Sequence, residues 1–157
     1  MPVIELLTEI AAPIERVFDL SRSIDLHIDC AFDTGERAVA GVTSGLISAG
    51  QTVTWRARHF GIWQELTVQI TSFDRPKSFT DTMLRGAFRE MEHHHLFEAA
   101  NGGTTMRDSF RYTSPFGILG RMADALFLER YMRSFLIARN QNIKTAAESD
   151  GWKRYLL

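Results

Sequence analysis

Three consecutive histidines, His93, His94 and His95, are the residues in this chain most suggestive of chemistry. On an extended strand side chains alternate, so two of the three share a face, roughly 6.5 to 7 Å apart along the chain. Met91 and Phe97 stand at odd positions, whereas Glu90, Glu92 and Glu98 stand at even ones. The odd face is therefore the inner one, which takes His93 and His95 inside and leaves His94 outside. In the next stretch Met106, Phe110 and Tyr112 share a face against Arg107, Ser109 and Arg111, so Asp108 points inward as well. Asn101-Gly102 between the two stretches is a favoured two-residue hairpin turn. It sets Ala100 opposite Gly103, and counting outward pairs Phe97 with Met106, His95 with Asp108, His93 with Phe110 and Met91 with Tyr112. The one inward acid lands opposite an inward histidine, which the turn assignment does not assume.

A carboxylate bonded to one imidazole nitrogen sets the tautomer and raises the basicity of the other. Such a pair can lock the hairpin with ordered water around it, orient the polar end of a ligand, or move protons beside a carbonyl. For the last role the candidates are His95 and Asp108. His93 and His95 could also share an ion with Asp108, Asp81 or His59 as third ligand. Adjacent histidines alone are a weak signal, however, and no metal or cofactor is expected. Cys30 is not expected to be a nucleophile, because Asp25 and Asp29 disfavour its thiolate. No phosphate loop or nucleophile elbow is present.

The elements that must hold these groups follow from periodicity. Val3–Ala11 reads as a strand, Pro13 opens a short helix, and Ser23–Phe32 reads as a second. Strands are expected over Glu36–Ala40, Gln51–Phe60, Trp63–Phe73, Lys77–Arg85, Arg89–Ala99 and Gly103–Thr113, then one helix from Phe116 to about Glu148. Alternation puts Trp55, Ala57 and His59 on the inner face, with Leu66, Val68 and Ile70 on the next strand and Phe79, Asp81 and Met83 on its partner. The last helix carries two apolar stripes, Leu119/Met122/Ala123/Leu126 and Leu128/Tyr131/Met132/Phe135. Nine residues at about 100° each put them on opposite sides. Either the helix breaks near Phe127, or its halves bury different surfaces. An interior lined by apolar groups with a few convergent polar ones is the usual form of a small-molecule site. The expected ligand-contacting set is Trp55, His59, Phe79, Asp81, Met83, Met91, His93, His95, Phe97, Asp108, Phe110, Tyr112, Met122 and Leu126.

Three stretches, "IAAPIERVFDL", "HHHLFEAANGGTTMRDSFRYTSPFG" and "GRMADALFLERYMRSFL", resemble the bacterial polyketide cyclase/dehydrase branch of the SRPBCC superfamily, which also holds START and birch-pollen-allergen-like proteins. The resemblance implies an α+β helix-grip fold. In it a curved antiparallel sheet of about seven strands wraps a long C-terminal helix, with two short helices after the first strand. It also implies a carrier or sensor for a hydrophobic small molecule such as a lipid, polyketide or aromatic metabolite, or alternatively a cyclase, dehydrase or isomerase. A protein-interaction module or homodimer through the outer stripe of the last helix is a further alternative.

Bulk properties agree with a single domain spanning 1–157. Apolar residues make up 45% and charged ones 24%. A net charge of -1 offers no basic footprint for nucleic acid. With Cys30 as the only cysteine, no internal disulfide can form. No apolar run reaches roughly 18 residues, and the N-terminus lacks the layout of a signal peptide. A cytoplasmic location is therefore expected.

Overall fold

The computed structural model describes residues 1–157, apart from the side chain of Phe32. Seven antiparallel strands form one sheet in the order β1-β7-β6-β5-β4-β3-β2. They are β1 Val3–Ile10, β2 Arg37–Gly41, β3 Thr52–His59, β4 Ile62–Asp74, β5 Ser78–Arg85, β6 Glu90–Ala100 and β7 Gly103–Thr113. The β6–β7 hairpin closes through Asn101 and Gly102, both at positive φ, so every opposed pair falls where the turn puts it, His95 against Asp108 included. The β3–β4 hairpin closes in the same way through Phe60 and Gly61. β4 accordingly starts at Ile62, one residue earlier than the alternation pattern suggests. Register shifts between Thr67 and Val68 and again between Ile70 and Ser72. Bulges of this kind sharpen strand twist and help a sheet curl.

Two short helices, α1 Ile14–Ser21 and α2 Ile24–Asp29, come after β1. α1 buries Val17, Phe18 and Leu20, and Phe18 meets Phe73, Phe79 and Phe97 edge-on at one end of the sheet. Ser23 caps α2 by accepting a hydrogen bond from the Leu26 amide at 3.2 Å.

The last helix does not break at Phe127. α3 Gly117–Ala123 runs through a π-helical stretch, Asp124–Leu128, into α4 Glu129–Glu148. A π turn holds more residues than an α turn and so rotates the downstream helix faces about the axis. Leu128, Tyr131, Met132 and Phe135 consequently turn toward the sheet, while Leu119, Met122 and Leu126 stay in solvent. The inward positions there are taken instead by Gly120 of α3 and by Asp124 at the start of the π-helical stretch. A side chain on Gly120 would meet the Pro115 carbonyl at 2.1 Å, so the glycine permits the helix to sit against that turn. Past Glu148 a short 3-10 turn leads into α5 Lys153–Leu156, which periodicity does not reveal. Trp152 and Tyr155 there pack against the core.

Candidate functional site

A cavity of about 350 Å³ lies between the inner sheet face and α4. Of the expected ligand-contacting set, Trp55, His59, Phe79, Asp81, Met91, His93, His95 and Phe110 line it. Six do not. Phe97 is spent on packing against Phe18 and Phe79, and Tyr112 lies behind Phe88 and Phe110 with its hydroxyl sealed. Met83 sits near the end of β5, beside Gly86. Asp108 stands behind the two histidines, and Met122 and Leu126 are on the outward side of the rephased helix.

At one end of the cavity Asp81 from β5, His93 and His95 from β6, Asp108 from β7 and Asn140 from α4 form one connected group. His93 Nε2 donates to Asp108 Oδ1 at 2.9 Å, and His95 Nε2 donates to Asp81 Oδ1 at 2.8 Å. His95 Nδ1 also lies 2.9 Å from Asp108 Oδ1 but is not aligned for a hydrogen bond and has no other partner. That contact is ionic. Asn140 Nδ2 donates to Asp108 Oδ2 at 2.6 Å, and Arg139 Nη1 stands 3.8 Å from Oδ1. The expected His95–Asp108 pairing therefore holds in register and proximity, while the hydrogen bond of Asp108 goes to His93. Both hydrogen bonds run diagonally: His93 is opposite Phe110 and Asp81, and His95 is opposite Asp108 and Phe79. Diagonal neighbours on one face are within reach of long side chains.

Burial disfavours charge on both imidazoles. In His93 burial prevails, aided by the charge on His95, and the pKa is pushed down to about 4. In His95 the Asp108 and Asp81 carboxylates outweigh burial and the pKa rises. Burial favours a neutral Asp108, yet His93 and His95 hold its carboxyl well below the usual range. Asp81 is lowered against its burial by the same histidines, His95 foremost. Of the two, His95 is the one that holds its proton to higher pH, and near neutral pH His93 is neutral. Asp108, being ionised, only accepts, so the His93 proton is on Nε2 and Nδ1 is an acceptor. Among the described residues Nδ1 of His93 makes no hydrogen bond and is not sealed, whereas both His95 nitrogens are engaged or enclosed.

A second set of polar groups borders the cavity nearer α2 and the β3–β4 turn. His27 Nε2 is bonded to Glu36 Oε1, and the His27 ring lies 4.3 Å from that of Trp55. His59 Nδ1 is 2.6 Å from the Tyr131 hydroxyl. Burial lowers the His59 pKa and raises that of Tyr131, and the Glu36 charge favours a proton on each.

His27, Glu36, Tyr131, Phe135, Arg139 and Asn140 were not among the expected site residues. Asn140 left a trace in the sequence, since it interrupts the Leu136/Ile143 stripe at helical spacing. Glu36 left none, because the Gly-broken stretch around β2 gave its face no clear alternation. Cys30 is half-buried, and burial with the Asp29 charge pushes its thiol up, against a nucleophilic role.

A curved seven-stranded sheet closed by a long C-terminal helix over a lined cavity defines the START/birch-pollen-allergen-like helix-grip class. The chain belongs to the family of polyketide cyclase / dehydrase and lipid transport proteins, whose model matches residues 1–148. Among solved structures it is similar to TTHA0849 from Thermus thermophilus, with a TM-score of 0.72 and 18% identity over 93% of this chain and 99% of that one. A START superfamily protein from Mycobacterium smegmatis gives 0.69 and 10%, over 93% and 97%. The major latex-like protein 151 of Panax ginseng gives 0.68 and 13%, over 94% and 98%. At these identities the likeness concerns fold. No curated protein matches the chain in sequence. Among the described residues no helix is long and apolar enough to cross a membrane.

Proposed function

We propose that this protein is a carrier or sensor that holds a hydrophobic small molecule in the cavity between sheet and α4, with the ligand's polar end at His93. The observation that carries this reading is a cavity of about 350 Å³ with apolar walls and a free acceptor nitrogen at its inner end. A hydroxyl, phenol or protonated acid on an otherwise apolar ligand matches that acceptor, and the walls suit a compact aromatic or short acyl body. The cytoplasm suits a chain with a single half-buried thiol. An enzymatic role would move from His95 to His93. His95 has no nitrogen open to a ligand, and a pKa of about 4 makes His93 a weak base. Binding is accordingly the better supported role.

Native mass spectrometry of freshly purified protein should reveal a small molecule travelling with the chain or, after extraction, stoichiometric uptake of an apolar fluorescent probe. Ala57→Phe, which fills the cavity from β3, should abolish uptake. Undiminished uptake in a folded Ala57→Phe protein would place the probe elsewhere and remove the proposal.

A further inference from the structure

The inner cluster has an arrangement that ligand orientation alone does not require. One ring nitrogen from each of His93 and His95 and one oxygen of Asp81 lie within 4.8 Å of one another, bordering the cavity. Both rings also face Asp108, with Nε2 of His93 and Nδ1 of His95 each 2.9 Å from the same oxygen. That oxygen is held from behind, because Asn140 grips the other end of the carboxylate at 2.6 Å. We propose that His93, His95 and Asp81 bind a divalent transition-metal ion, with Asp108 as the outer carboxylate that orients both imidazoles.

Three lines of chemistry support this. Two imidazoles and one carboxylate are a donor set that zinc and ferrous sites use when positions must stay open for a substrate. Metal-bound histidines typically donate their far N–H to a carboxylate, which fixes the ring and strengthens the donor nitrogen. Here Asp108 accepts that bond from His93 and lies in ionic contact with Nδ1 of His95. Charge permits it too, since Asp81, Asp108 and Arg139 with two neutral imidazoles sum to one negative charge, and a divalent ion brings the site to one positive charge. On binding, the Nε2 proton that His95 now gives to Asp81 leaves, and the ion takes its place. The rings stand 3.8 Å apart at 38°, so both must rotate about their side-chain bonds for the two donors to meet at one ion. This deepens the binding proposal: the ligand's polar oxygen would then meet the ion's open positions rather than His93 itself.

The test uses untagged, chelator-stripped protein titrated with Zn²⁺ by calorimetry and with Co²⁺ by visible absorption. One ion per chain is expected, with a Co²⁺ spectrum of mixed nitrogen and oxygen ligation. His93→Gln and Asp81→Asn should each weaken binding at least tenfold, about the second-shell range or more, with circular dichroism confirming the fold. Asp108→Asn should keep the stoichiometry while weakening affinity and shifting the Co²⁺ bands, which a purely structural role would not do. His94→Gln, on the outer face, should change nothing. Absence of stoichiometric binding in the parent protein overturns the proposal, as does binding that survives both His93→Gln and Asp81→Asn. Apolar-probe uptake in the presence of chelator tells this failure apart from failure of the binding proposal.

Discussion

The two polar regions of the cavity are built from similar residues and behave differently. At the inner end Asp81, His93, His95, Asp108 and Asn140 come from three strands and a helix, and each group serves at least one other. Near α2 the groups meet in separate pairs, His27 with Glu36 and His59 with Tyr131, and the rings remain part-exposed. Connectivity and burial, rather than residue type, decide what a histidine does here. In the inner cluster they shift the pKa values of two neighbouring imidazoles in opposite directions. In the outer pairs each side chain has one hydrogen-bond partner, and His27, His59 and Tyr131 keep access to water while Glu36 is buried. The inner region is thus a fixed electrostatic pattern for a ligand or ion to meet, and the outer one an adjustable rim.

The sharpest way to break this contrast is to remove one carboxylate from each region. Asp108→Leu leaves Asn140 Nδ2, His93 Nε2 and His95 Nδ1 without their partner in a sealed place. Losing one member of a buried pair costs about 3–5 kcal/mol. Glu36→Leu leaves only His27, whose side chain is 23% exposed and can turn to water, so the loss should be about 1–2 kcal/mol. Urea denaturation of both variants measures the difference. Equal losses would mean that the outer pair is as enclosed as the inner cluster.

A second test uses pH and the opposite shifts of the two inner histidines. His93 has its folded pKa lowered to about 4, against an unfolded value near 6.5. Between those values the unfolded chain takes up a proton that the folded chain refuses, so stability falls as pH drops through that window, by about 3 kcal/mol. His95 has a raised folded pKa. Its stabilisation is fully present below about 6.5 and is lost as pH rises through the folded value. Stability should therefore peak near pH ~6.5. Asp81 and Asp108, both lowered, add a further loss only in more acid solution, below the ordinary carboxylate value. His93→Gln should flatten the limb between about 4 and 6.5 and spare the alkaline one. Histidine NMR titration checks the assignment, and a His93 pKa above that of His95 would reverse the argument.

The difference between the regions also explains what could be read from sequence. The β6–β7 hairpin was legible because Asn101-Gly102 is a local signal, and one turn fixes every pair from Ala100/Gly103 to Met91/Tyr112. Inward alternation then needs no distant information. Which bond each inward group makes was not legible. Opposed residues are found by counting, but the choice between a straight and a diagonal partner depends on side-chain reach and on the next strand. β5 is joined to β6 through Gly86–Arg89, without a two-residue turn, so nothing local reported that Asp81 would reach His95. The outer pairs depend on contacts between β2, β3, α2 and α4, which no short-range pattern encodes. On the last helix, nine-residue spacing showed two faces. That the outward one would stay exposed is a consequence of Gly120 and Asp124 taking the inward positions, a matter of fit against Ser114-Pro115.

The smallest expected effect is at the rim and is the finest test of its independence. The Tyr131 hydroxyl bonds His59 Nδ1 at 2.6 Å, and the Tyr131 ring also lies 4.5 Å from Phe60 at the β3–β4 turn. Tyr131→Phe keeps that ring contact and removes only the hydroxyl. If the rim is wet, water takes the vacated place on His59 and the net loss stays within about 0.5–1 kcal/mol, the ordinary worth of one such bond. The change should also leave the His93 and His95 titrations where they are, because no hydrogen bond links the rim to the inner cluster among the described residues. Thermal unfolding with histidine NMR on the same sample measures both. A loss above about 2 kcal/mol would indicate a sealed hydroxyl rather than a wet one. A moved His93 or His95 resonance titration would show that the two regions act as one network, and the contrast drawn between them would fail.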